Sequence, residues 1–274
     1  MLIYLIKKFC AVALFFMVAG PAAAEGRGEI PFQAGERMVF QVRWAFIPAG
    51  EAVLEVLPHE EINGCPARRF GLKAYTYPAV DIFYKVRDHI DAYTDMDMTR
   101  TIKYTRKTDG KRSREERVVI DQEAGKARYT NFGQGRDPVP VLPGTFDPFS
   151  VFYAFRLEQL REGKEMTYPV TDGKRVVESR ANVTRRANIE TRFGRIETFL
   201  VELSMEKIEG SFEKPDGAGI QIWVSADEHR VPVRVRSKVP VGSFVAELTE
   251  ISGSDWPHRD DGDRREKDDM WMMP

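Results

Sequence analysis

The chain has 274 residues, with 41 basic and 42 acidic side chains, a formal net charge of −1 and 42% hydrophobic residues. That length is enough to bury a sizeable core, and so even a charge balance gives no reason to expect a nucleic-acid partner. There are two cysteines, Cys10 and Cys65. Cys10 falls in a segment expected to be removed, so the mature chain is expected to fold without an intramolecular disulfide.

Lys7 and Lys8 precede an apolar run from Phe9 to Gly20, then Pro21 and the small residues Ala22, Ala23 and Ala24. This order of charged, apolar and small residues predicts a secretory signal peptide over 1–24, cleaved after Ala24. The run of about twelve residues is short of the roughly twenty needed to cross a bilayer as a helix. Cys10 lacks the small-residue setting of a lipid-modified cysteine. The mature protein is therefore read as periplasmic and not a lipoprotein.

Residues 25–251 read as one antiparallel β domain. Met38, Phe40, Val42, Trp44 and Phe46 alternate with residues on the other face, as a strand requires. Pro48-Ala49-Gly50 turns the chain into a second strand through Ala52, Leu54 and Val56, and Asn63-Gly64 turns it toward Phe70, Leu72 and Ala74. A corner with Pro78 follows, then a strand near Lys85 to Tyr93. Two strands flank Thr108-Asp109-Gly110, and their charges are mostly basic. Arg106, Lys107, Lys111 and Arg112 are candidate contacts for an anionic group on a membrane or an envelope polymer. The alternative is a solvated hairpin whose charges deter edge pairing.

Val118 to Asn131 supplies another strand pair, and Gly133 to Thr145 is a Gly/Pro-rich connection. Asp147-Pro148 then caps a helix over about 147–162. Phe149, Phe152, Tyr153, Arg156 and Leu160 recur at helical spacing, and Gly163 ends the run. A helix so rich in aromatics must be largely covered, as a plug in the core or as a lid over a ligand. Strands follow at Glu165 to Val170, Val176 to Ala187 and Ile196 to Ile208, and Lys214-Pro215-Asp216-Gly217 closes a further hairpin.

The last meander has the clearest pattern. Ile220, Ile222 and Val224 share one face, Val231, Val233 and Val235 resume the alternation, and Phe244, Ala246 and Leu248 complete it. The fold class expected is thus all-β: about twelve antiparallel strands in a strongly curved sheet, a sandwich or a half-open barrel, with one helix packed against it. From Ser252 to Pro274 charged residues dominate, and a disordered tail is expected. Its Met270 to Met273 tip reads either as an unstructured end or as a docking peptide.

Gly50, the Asp147-Pro148-Phe149 helix start with Arg156, and the run from Ile222-Trp223-Val224-Ser225-Ala226-Asp227 through Arg230-Val231-Pro232-Val233 carry a resemblance. Over roughly Pro31 to Ile251 the chain resembles an exported bacterial family catalogued as domain of unknown function 3108. The resemblance implies an exported, mainly β protein of Gram-negative bacteria with no established activity, so no functional residue transfers. Similarity in shape to curved-sheet carriers is an analogy of fold, and fold does not settle function.

Catalytic signals are poor. His59, His89, His229 and His258 lack metal-ligand spacing, and neither a nucleophile elbow nor a phosphate loop occurs. Asp88 and His89 adjoin, but neighbouring strand residues face opposite ways. No catalytic residue, metal or cofactor is expected. The favoured reading is a carrier for an amphipathic or acyl-containing molecule, a lipid or envelope glycan, in a cavity lined by Trp44, Phe149, Phe152, Tyr153 and Trp223. The alternative is a non-catalytic accessory that recruits an envelope protein through an edge strand or the C-terminal tail. An enzyme with a site hidden among distant strands ranks third.

Overall fold

A computed structural model describes residues 29–83, 85–109, 113–205, 219–239 and 242–257. The expected leader, Lys111 and Arg112, the turn at Lys214 to Gly217, and the tail from His258 lie outside the described residues. So does the Met270 to Met273 tip.

Among the described residues, fifteen strands form one sheet. They are β1 (Arg37–Trp44), β2 (Ile47–Ile62), β3 (Cys65–Thr76), β4 (Arg87–Asp95), β5 (Thr101–Thr108), β6 (Arg114–Asp121), β7 (Lys126–Asn131), β8 (Gln134–Gly135) and β9 (Val139–Pro140), followed by β10 (Glu165–Thr171), β11 (Val176–Thr191), β12 (Gly194–Met205), β13 (Ile220–Ser225), β14 (Pro232–Val239) and β15 (Gly242–Ser252). Two helices, α1 (Pro78–Asp81) and α2 (Ser150–Arg156), complete the described elements. The all-β class and the opening and closing three-strand meanders read from the sequence are present.

The order across the sheet is β10-β11-β12-β13-β14-β15-β1-β2-β3-β4-β5-β6-β7-β8, with β9 also pairing β7. One continuous path excludes a two-sheet sandwich and leaves the open, barrel-like curl. The first and last strands are neighbours, with Phe40 opposite Leu248 and Val42 opposite Ala246. Strands therefore run outward from the middle in both directions, and the sheet's two free ends belong to β10 and to the β7 to β9 region. These ends approach each other. The β10 to β11 turn reaches β6 and β7, where a Cβ on Gly173 would stand 2.9 Å from Val118 Cγ2 and 3.0 Å from Tyr129 Cβ. Only a glycine fits there, and its φ of +81° also suits it.

The segment between β9 and β10 crosses the trough of the curled sheet as α2. Asp147 is buried, and its carboxylate accepts from the amides of Phe149 (2.8 Å) and Ser150 (2.9 Å) and from the Thr101 hydroxyl (2.6 Å). Burial nevertheless pushes its pKa above the ordinary aspartate value, against the pull of those bonds. The helix is shorter than the 147–162 expected: its last turn tightens, with Leu157 N donating to Ala154 O and Glu158 N to Phe155 O, and carbonyls at and beyond its end accept from side chains. Arg156 O accepts from the Arg230 guanidinium, and Gln159 O accepts from Lys164 Nζ at 2.9 Å.

Most of α2 is packed against the sheet. Phe149, Tyr153 and Leu157 join the cluster of Met38, Phe70 and Leu248; Phe152 and Phe155 meet the cluster of Val201 and Ile222; Val151 and Ala154 pack on Phe146 and Val170. A helix apolar all round belongs in a core, and α2 is the plug of this one. Tyr153 stacks on Phe70 with ring centroids 4.2 Å apart. Arg156 and Glu36 form a fully buried pair, Nη1 to Oε1 2.6 Å and Nη2 to Oε2 3.1 Å, with Nη2 also donating to His229 O.

The described chain stays packed past the boundary expected at Ile251, with β15 running to Ser252. Trp256 is buried, packs edge-on against Phe193 at 5.4 Å, and donates from Nε1 to Asp227 Oδ2 at 2.8 Å. Composition alone missed this because the residue stands amid charged neighbours with no periodicity around it.

Candidate functional site

Above α2 the trough is not filled. A cavity of about 700 Å³ lies there, within the range of small-molecule sites. Its floor is Phe149, Val151, Phe152 and Phe155, and its walls are alternate residues of the inner sheet face, among them Phe40, Leu54, Leu72, Ile90, Ile222 and Val235. Small residues Ala52 and Ala246 widen it where a larger side chain would close it. The pleat explains the lining: residues two apart on each strand point the same way, and those of eleven strands converge on one space.

Charged groups are confined to the place where the two ends of the sheet meet. Arg106, Arg114 and Lys174 stand there with Glu116 and Asp172. Arg106 Nη2 bonds Asp88 Oδ2 at 2.6 Å. Glu116 accepts from the Tyr129 hydroxyl at 2.8 Å and Lys174 Nζ at 3.1 Å, with Arg114 Nη1 3.8 Å away. Burial alone would raise the Glu116 pKa, but those bonds and the charges of Lys174 and Arg114 outweigh it, so the carboxyl sits below the ordinary glutamate range. Tyr129 is pushed up to about 12 by burial and by the Glu116 carboxylate. These bonds join β6 and β7 to the β10 to β11 turn, so the charged cluster both ties the curl and forms one lip of the cavity.

Of the five aromatics proposed as cavity lining, Phe149 and Phe152 stand in the wall. Three stand elsewhere. Tyr153, one helix position on from Phe152, points down into the core. Trp223 lies on the strand face opposite Ile222, with the Arg234 guanidinium 5.9 Å from its ring. Trp44 shares the inner face with Phe40 but sits beyond the cavity at the open rim, stacked on Phe244 at 6.4 Å. Among the basic candidates, Arg106 is in the lip, while Lys107, the next residue, is exposed on the other face. Asp88 and His89 are likewise separated: Asp88 meets Arg106, and His89 Nε2 lies 2.9 Å from Asp91 Oδ2.

Sequence reasoning missed Arg114, Glu116, Lys174 and most of the aliphatic wall. The alternation of Ile220 and Ile222 was the available signal, but it identifies an inner face without saying that the face is unfilled. No group of three or more His, Cys, Asp or Glu able to hold a metal occurs among the described residues. No helix among them is long and apolar enough to cross a membrane.

Residues 39–249 match the family described as protein of unknown function (DUF3108), and the chain belongs to that family. No curated protein matches it. Among solved structures it is similar to a β-barrel-like protein of domain of unknown function DUF1849 from Brucella abortus, with 13% identity, a TM-score of 0.54, and coverage of 79% of this chain and 96% of that one. A Bacteroides fragilis protein described as exported, with a YmcC-like fold, aligns at 9% identity and a TM-score of 0.37 over 81% of this chain and 98% of its own. A Parabacteroides distasonis protein described as a lipoprotein aligns at 10% identity and a TM-score of 0.36 over 81% and 98%. The first likeness supports the fold as barrel-like.

Proposed function

We propose that this member of the DUF3108 family is a non-catalytic binding or carrier module for an amphipathic molecule with an acyl or similar apolar portion. The observation that carries the reading is the apolar cavity of about 700 Å³ between α2 and the inner sheet face, with charge at one lip only. An apolar chain would lie against Leu72, Ile90 and Ile222, and each methylene removed from water contributes about 0.8 kcal/mol. A polar or anionic head group would sit by Arg106, Arg114 and Lys174. The accessory-protein reading has less support, because part of the β10 edge is already occupied: Phe146 donates to Pro169 O and accepts from the Thr171 amide. Export with cleavage after Ala24, and residence in the periplasm without a lipid anchor, belong to the same proposal; they rest on the order of residues in 1–24.

The test is uptake of a fluorescent long-chain fatty acid by the purified protein. Wild type is expected to bind it, and Ala52→Phe with Ala246→Phe, which fill the space, to weaken uptake by at least about tenfold, the equivalent of two methylenes or more. Thermal unfolding is expected to stay cooperative in that variant. Absence of uptake by wild type, or equal uptake by the filled variant, would overturn the reading.

A further inference from the structure

The lip of the cavity is balanced in charge. Arg106, Arg114 and Lys174 line it with Glu116 and Asp172, and Asp88, bonded to Arg106, makes the carboxylates as many as the cations. Pairing within the lip uses only part of its hydrogen-bonding capacity. Both bonds that Glu116 accepts, from Tyr129 and from Lys174, fall on Oε1, and so does the loose contact of Arg114 at 3.8 Å. No described group bonds Oε2, although the residue is only 7% exposed. Asp172 repeats the pattern, with the amides of Lys174 and Arg175 both donating to Oδ1, at 2.9 and 3.3 Å. On the cationic side, Arg106 bonds Asp88 through Nη2 alone, and the one ion pair of Arg114 among the described residues is the 3.8 Å contact. Two residues from Arg106 on the same strand face, Tyr104 lines the wall, and its hydroxyl bonds none of the described residues. Burial pushes the Tyr104 pKa up, so the phenol stands there as a neutral donor.

Spare acceptors and spare donors at one lip suit a head group that carries both signs. An anion alone would approach Arg106 and Arg114 but would also face the Glu116 and Asp172 carboxylates. A cation alone would meet the reverse, and in a partly buried site each uncompensated charge costs affinity. A zwitterion with a primary ammonium and a phosphate a few bonds apart satisfies both sides. Its ammonium donates to Glu116 Oε2 and Asp172 Oδ2, and its phosphate accepts from Arg106, Arg114 and the Tyr104 hydroxyl. The same arrangement rejects singly charged heads by repulsion, which is how a site gains specificity beyond affinity.

We infer that the cavity selects amphiphiles whose head group is a zwitterion of primary ammonium and phosphate over those whose head group carries a single charge. This rests on the carrier reading and adds to it the class of head group. The experiment compares two lysophospholipids with the same fluorescent acyl chain, one with an ethanolamine and one with a glycerol head group, each below its micelle concentration. Chain burial is then common to both and only the head differs. Wild type is expected to bind the ethanolamine form at least about tenfold more tightly, the worth of one charge-assisted hydrogen bond. Asp172→Asn keeps an oxygen for the two turn amides while removing a negative charge, and it is expected to narrow that preference with an unchanged unfolding midpoint. Arg114→Gln removes a cation held only by a long contact, and it is expected to widen the preference, because the glycerol form keeps its net negative charge. Equal binding of the two lysolipids by wild type, or a preference that neither substitution moves, would sink the inference and leave the carrier reading standing. Binding of neither lysolipid, beside absent uptake of the fatty acid, would remove that reading and the inference with it.

Discussion

Glu116 has two consequences that share one cause. The carboxylate accepts from Tyr129 and Lys174 while buried at the lip, so its charged form is favoured in the folded state. A pKa held below the unfolded value stabilises the fold above the ordinary glutamate pKa of about 4.3, and that stability is lost as pH falls through the lower folded value. As pH falls below the ordinary glutamate value the tie between β6 and the β10 to β11 turn is therefore expected to weaken. Glu116→Gln should be less stable than wild type at neutral pH and show a flatter acid limb, read as urea midpoints against pH. An acid limb as steep as that of wild type would assign the loss to other carboxylates. Asp147 acts with the opposite sign: its pKa is raised, so its protonation does not contribute to acid unfolding, and the two groups are separable by that difference.

At the scale of the element, α2 is held at its end by the Arg156 and Glu36 pair rather than by length. Seven residues make an isolated helix unstable in water, so its position depends on the side chains around it and on that buried pair. Removing one partner leaves a buried charge, and Arg156→Met or Glu36→Gln alone is expected to cost about 3–5 kcal/mol. Replacing both, Arg156→Met with Glu36→Leu, should recover much of the loss, since an apolar pair of similar volume avoids the desolvation cost. Unfolding free energies of the two singles and the double measure this; additive losses would show that the arginine acts mainly through its bonds to His229 O and Pro31 O. The helix was legible in the sequence because Phe149, Phe152 and Tyr153 fall at helical spacing behind Asp147-Pro148. Its early end was not: Arg230, which takes the Arg156 carbonyl there, arrives from a turn far along the chain. The same distinction covers the cavity. Alternation identifies which residues face inward, whereas empty space depends on how tightly the sheet curls, and that is set by contacts such as Gly173 against Val118 that no local pattern records.

For the whole molecule the decisive contact is the neighbouring of β1 and β15, which puts the start and end of the domain in the middle of the sheet. The sequence shows both as strands, but their pairing spans more than two hundred residues and has no local signature. Where the fold ends follows from this. After β15 the chain turns back through Gly253 and places Trp256 between Phe193, at the β11 to β12 turn, and Asp227, at the β13 to β14 turn. It thereby bridges two turns at the closed end of the sheet, opposite the open rim. Trp256 is buried with its only ring donor satisfied, so its loss removes packing and leaves Asp227 with one acceptor contact fewer. Truncation after Ile251, at the limit of the hydrophobic pattern, is expected to lower stability by about 3–5 kcal/mol, as for other deleted buried aromatics. Trp256→Ala in the full chain should reproduce most of that loss. Chemical denaturation of the two proteins beside wild type decides the point. A truncated chain with an unchanged midpoint would place the end of the folding unit at Ile251, and a full-sized loss in the truncation with none in Trp256→Ala would shift the contribution to the backbone from Ser252 to Asp255.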